Sequence, residues 1–160
     1  QGKVLEHQRA TALAIQRLIE EHLYWTVLYD RWISEPGWAL TRPAFFASMP
    51  WPLRAIVPVI ARRGLRAELN GHGMGRHTPE QIHAFGIADI NALAALLGEK
   101  PYFLGAQPSS IDATATAFLA NILFVPLETP IKQSAAGHAN LVAYTRRMAQ
   151  KYFPEGYSPR

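Results

Sequence analysis

Cysteine is absent from these 160 residues. Its absence excludes disulfides, thiolate metal sites and a cysteine nucleophile within this chain, and it fits the expected cytoplasmic location. No apolar run approaches the roughly 20 residues of a membrane span, so none is expected. No secretory leader is visible, because Gln1-Gly2-Lys3 opens directly into a helical pattern. An initiator Met is lacking, and the chain is expected to be one domain of a longer polypeptide. Sustained strand alternation, internal repeats and low-complexity segments are missing too. The net charge of +4 is scattered, apart from Arg62-Arg63 with Arg66 and Arg146-Arg147. Without a recognition motif it does not point to nucleic acid.

What is present suits a globular domain. Hydrophobic residues make up 49% and charged residues 18%, ordinary values for a chain with a real core. The punctuation predicts an all-α fold of about five main helices. The first runs from Val4 to Ile33, a rod of about 45 Å, ended by Pro36-Gly37. Its broad face carries Ile15, Leu18, Ile19, His22, Trp25, Tyr29 and Trp32. A short turn with Trp38, Phe45 and Phe46 leads to the break at Pro50-Trp51-Pro52. The second helix follows through Pro58, Arg62, Arg63 and Arg66 to Asn70. The loop 71–77 is the loosest part. Thr78 caps the third helix, Pro79 takes its first position, Gln81 completes a capping box and Gly98 stops it after Leu97. An uncharged helix, Ala113 to Phe124, is expected to be central. Pro126 and Pro130 bound a loop. Asn140 is read as the cap of the last helix, Leu141 to Tyr152, with Pro154 after it.

Two segments carry a family likeness. Tyr102-Phe103-Leu104-Gly105 through Pro108-Ser109-Ser110-Ile111-Asp112 is a stop followed by a capping box, in which Ser109 and Asp112 answer each other's backbone N–H groups. Asn140-Leu141-Val142-Ala143-Tyr144-Thr145-Arg146-Arg147-Met148 opens a late helix. Together they resemble the C-terminal helical domain of the glutathione transferases. Glu20 to Trp25 and Gly73 to His77 are similar to the metaxin and failed-axon-connections branch.

The resemblance implies a single C-terminal-type domain over residues 1–160, part of a two-domain protein. The thioredoxin-like half that binds and activates glutathione is not in this chain. This domain would supply the pocket for a hydrophobic electrophile and much of a homodimer interface. Alone it carries no catalytic residue and no metal, and glutathione would enter as co-substrate through the other domain. A non-catalytic, metaxin-like interaction module is the alternative, and an anion-binding bundle using the arginines is a third option. Loss of the partner domain predicts self-association or lowered stability.

Candidate residues follow. Tyr24, Trp25, Leu28 and Tyr29, midway along the first helix, either line the electrophile pocket or pack in the core. His22 is expected to be a buried imidazole bonded locally, because no group that would orient it as a base is visible. His72, Arg76 and His77 read as a hinge or helix terminator rather than an anion or metal site. Arg62, Arg63 and Arg66, like Arg17, Glu20 and Glu21, read as solvated faces. Ser109 and Asp112 are structural caps.

Overall fold

A computed structural model describes residues 2–153. Among them lie seven helices and no strand, an all-α bundle. Helix α1 spans residues 2–33, followed by α2 (Glu35–Phe46), α3 (Leu53–His72), α4 (Pro79–Leu97), α5 (Ser110–Leu123), α6 (Pro130–Gly137) and α7 (Ala139–Tyr152). Pro154, expected to follow the last helix, lies outside the described residues.

The long first rod exists, but it is not uniformly α-helical. Its backbone passes through π turns at Leu18–Leu23 and Tyr29–Ile33, separated by one short α segment. Such turns lack a composition signal and recur at functional positions. Pro36-Gly37 does not end the rod. The break falls at Ser34, whose hydroxyl accepts from the Gly37 N–H at 3.2 Å and donates to the Asp30 carbonyl. Pro36 thus occupies the first turn of α2, where its missing donor is harmless. Gly37 is dictated by close approach, since a Cβ there would fall 1.7 Å from the Asp30 carbonyl oxygen.

Pro126 and Pro130 bound a loop as expected, and Pro130 also opens α6, a helix the sequence pattern did not announce, capped by the Thr129 hydroxyl accepting from the Lys132 N–H. One further expectation needs correction. Asn140 does not cap α7, which begins after His138. Its amide instead donates to the Ala94 and Gly98 carbonyls at 2.9 and 3.0 Å, closing the C-terminal end of α4. At the other end of α4, Thr78 and Gln81 form the predicted capping box, and Gly98, at a positive φ of 55°, is the stop.

The main core joins Ile15, Ile19 and Leu23 of α1 to apolar residues of α4, α5, α6 and α7. Fully burying each large aliphatic side chain contributes about 1.5–3 kcal/mol. A second cluster centres on Leu28, Leu69, Met74 and Ile82, with Trp25, Tyr29 and Trp32 packed against it. Gly86 of α4 sits where α1, α4 and α6 converge. A Cβ there would meet Ile131 at 2.5 Å and Thr26 Oγ1 at 2.9 Å.

Candidate functional site

Helix α1 and helix α4 are joined by two reciprocal polar pairs. His22 Nδ1 lies 2.6 Å from Asp89 Oδ2, and His83 Nε2 lies 2.8 Å from Asp30 Oδ1. Both α1 partners stand in its π turns. Burial raises the Asp30 carboxyl above its ordinary value, against the lowering effects of the His83 hydrogen bond and charge and of Thr129. Burial likewise raises Asp89, against His22. The Tyr29 hydroxyl is pushed up by burial and by the Asp30 and Glu80 charges.

His22 therefore departs from its expected role. Its side chain is 45% exposed, and its partner is not local but 67 residues away. Asp89 supplies the orienting carboxylate that sequence reasoning did not see. The signal was the spacing of His22, Thr26 and Asp30 along one helical face, three polar residues in an otherwise apolar stripe.

The four midhelix candidates adjoin one another but border two sides of α1: Leu28 packs with Trp25 and Tyr29 in the second cluster, and the Tyr24 ring meets Trp25 edge-on at 5.1 Å. Tyr24 and Leu28 face a groove of about 270 Å³ between α1 and α5, with Phe118, Ala117 and Asn121 opposite. Tyr24 meets the Phe118 ring edge-on at 6.3 Å. Trp25 and Tyr29 turn the other way. Trp25 stacks on His72 at 4.3 Å, and Tyr29 meets His83 at 6.2 Å. The groove is shaped for apolar contact, with Arg31 and Asn121 as its polar members.

Ser109 and Asp112 form a capping box at the start of α5. The Ser109 N–H and hydroxyl donate to Asp112 Oδ2 at 2.9 and 2.8 Å. The Phe103 N–H and the Tyr144 hydroxyl donate to Oδ1 at 3.0 and 2.9 Å. This buried carboxylate therefore ties the preceding loop, α5 and α7 together. Tyr144 packs edge-on against Phe103 at 5.3 Å. Its hydroxyl is held well above the usual tyrosine range, chiefly by burial.

Arg62 is not a solvated residue. It donates to the Trp32 and Ile33 carbonyls at 3.1 and 2.7 Å and to Glu35 at 2.7 Å, and its guanidinium lies over Trp38. A cation at these last carbonyls answers the orphan acceptors and dipole of α1. Arg63 and Arg66 are exposed, and Arg17 pairs with Glu21 on the surface. The segment after α3 is a compact terminator. Gly73 adopts a left-handed conformation, Met74 is buried, and Arg76 bonds back to the Asn70 carbonyl. Among the described residues no cluster of His, Asp and Glu is arranged to hold a metal, and no helix is long and apolar enough to cross a membrane.

Comparison with known proteins agrees with this architecture. Residues 86–148, from midway in α4 into α7, match the family model described as glutathione S-transferase, C-terminal domain. Residues 1–62 match the model described as outer mitochondrial membrane transport complex protein. The chain is 36% identical over 150 residues to the isoprene-epoxide–glutathione S-transferase of Rhodococcus sp. (strain AD45), covering 92% of this chain and 63% of that protein. It is 28% identical to human metaxin-2, over 94% of this chain and 58% of the relative. With failed axon connections of Drosophila melanogaster it shares 26% identity, over 92% and 38% of the two chains. The chain thus spans less than two thirds of each of these relatives. No solved structure matches it.

The expected cytoplasmic location is overturned by the transport-complex match over residues 1–62 and by the metaxin relatives. Residues 86–148 are thus similar to the glutathione S-transferase C-terminal domain, and most of the chain is similar to relatives that include the metaxins and failed axon connections.

Proposed function

We propose that this chain is a non-catalytic docking domain of a multiprotein assembly at a membrane. The observation that carries this reading is the largely apolar groove formed where α1 meets α5, in which Arg31 is the one charged lining residue. Beyond its cap α5 has no charged residue, and it presents Ala117 to solvent beside Tyr24 in that groove. An aromatic groove poor in charge suits packing by another protein surface. The titratable pairs His22–Asp89 and Asp30–His83 join α1 to α4 and do not line that groove. The transport-complex match and the metaxin relatives support partners of the complex-forming kind rather than a homodimer.

A second reading is favoured by the 36% identity to a glutathione transferase acting on isoprene epoxide. In it Tyr24, Leu28 and Phe118 form the apolar wall for an electrophile, while another domain binds glutathione. The test is glutathione conjugation to a small epoxide by the full-length protein. The docking reading expects no conjugation above the uncatalysed rate. Conjugation whose KM rises several-fold in Tyr24→Ala would overturn it in favour of the enzyme.

A further inference from the structure

Helix α3 begins as an apolar helix with too little covering it. Leu53, Ile56 and Ile60 fall within about 60° of one another around the axis. All three are exposed, with Ile60 at 64% and the flanking Val59 at 65%. The turn before them carries Trp51, 79% exposed, and Phe45 projects from the end of α2. A wide apolar helix face is ordinarily covered, so this stretch has a surface suited to a cover.

The charges beside it indicate which cover. Residues 35–72 hold five arginines and two carboxylates. Glu35 is taken by Arg62. Arg42, Arg54, Arg63 and Arg66 make no ion pair among the described residues. Arg42 and Arg54 line a groove of about 700 Å³ between α2 and α3, together with Trp38, Phe46 and Trp51. Arg63 continues the Ile56–Ile60 stripe one turn further on. Exposed aliphatics, an interfacial tryptophan and unpaired arginines on one hairpin are the composition of a segment that lies in a bilayer surface.

We infer that the α2–α3 hairpin binds the surface of an anionic phospholipid bilayer. Trp51, Leu53, Ile56 and Ile60 enter the boundary between headgroups and acyl chains, and Arg42, Arg54 and Arg63 meet lipid phosphates. A second copy of the chain is a poorer cover, because a twofold interface would set the same unpaired arginines against each other. The inference goes beyond the docking reading and stands without it, since it concerns a different surface from the α1–α5 face.

The test is co-sedimentation of the full-length protein with phosphatidylcholine vesicles, with and without phosphatidylglycerol. Binding is expected to the anionic vesicles and to fall as salt is raised. Arg54→Glu with Arg63→Glu should weaken it about tenfold or more, as should Ile56→Asn with Ile60→Asn, while circular dichroism and melting stay those of the wild type. Equal binding to neutral vesicles, or variants that bind like the wild type, would overturn the inference. So would a dimer that Ile60→Asn dissociates in a protein that ignores vesicles, which would assign the patch to a second copy.

Discussion

Around Asp112 the polar groups are answered from within the chain, whereas along α2 and α3 apolar side chains and four arginines look outward. The first region is a closed network: one carboxylate accepts from a cap residue, a loop amide and a tyrosine on a second helix. No buried side-chain polar atom among the described residues lacks a partner. The second region is open. The first half of α3 rests on the bundle mainly through Pro58 and the Arg62 contacts. The difference separates what holds the fold from what the fold offers to its surroundings.

The largest effect should come from breaking the closed region. Asp112→Ala leaves the Phe103 amide and the Tyr144 hydroxyl without their acceptor in the interior, a loss on the order of 3–5 kcal/mol. Urea unfolding reads it directly, and a variant as stable as the wild type would show that the carboxylate does not hold the three segments. Next in size is Gly86→Ala. Its methyl group must displace Ile131 and Thr26, an overpacking cost of about 1–3 kcal/mol, partly offset by the better helix propensity of alanine. The same unfolding curves test it, and a stabilised variant would mean that the helices part without strain.

Acidity sharpens the comparison further. Unfolded Tyr144 loses its proton near its ordinary value of 10.0, while the folded hydroxyl keeps it. The unfolded state therefore binds fewer protons above that pH, and stability should fall as pH climbs past it. Tyr144→Phe should remove that step from a melting-temperature profile. Asp30 and Asp89 have the same sign at the acid end. Both are raised from 3.8, so the stability they contribute is full below that value and is lost as pH rises through their folded values. Asp30→Asn should flatten that slope. The smallest effect belongs to the open region: Ile60→Asn should change unfolding free energy by no more than about 0.5 kcal/mol. A cost of several kcal/mol would show that this face is already packed within the chain.

Much of the fold was legible because it is written locally. The Thr78-Pro79-Glu80-Gln81 start, the Gly98 stop and the Ser109–Asp112 box each need only four or five consecutive residues. Other features were misread for the same reason. Pro36-Gly37 looked like a stop, although Ser34 before it is an N-cap, and Pro130 was read only as the far edge of a loop, although Thr129 caps a helix there. Asn140 has the composition of a cap, but its amide serves the end of α4. The site was less legible because its pairs are distant in sequence. Neither His22 nor Asp89 announces the other across 67 residues, and no residue type marks a π turn. That Tyr24 and Leu28 border the α5 groove while Trp25 and Tyr29 meet His72 and His83 depends on which helices flank α1, which no single-helix pattern contains.

The two His–Asp pairs carry a further consequence. Along α1 the order is histidine then aspartate, at 22 and 30, and along α4 it is again histidine then aspartate, at 83 and 89. Because the helices run in opposite directions, each imidazole finds a carboxylate. If α4 were turned end for end, His22 would face His83 and Asp30 would face Asp89, with the two largely buried carboxylates opposed. The pairs thus act as a polarity code, in which two residues per helix distinguish the correct direction of packing from its reverse, a distinction the surrounding leucines and isoleucines cannot make.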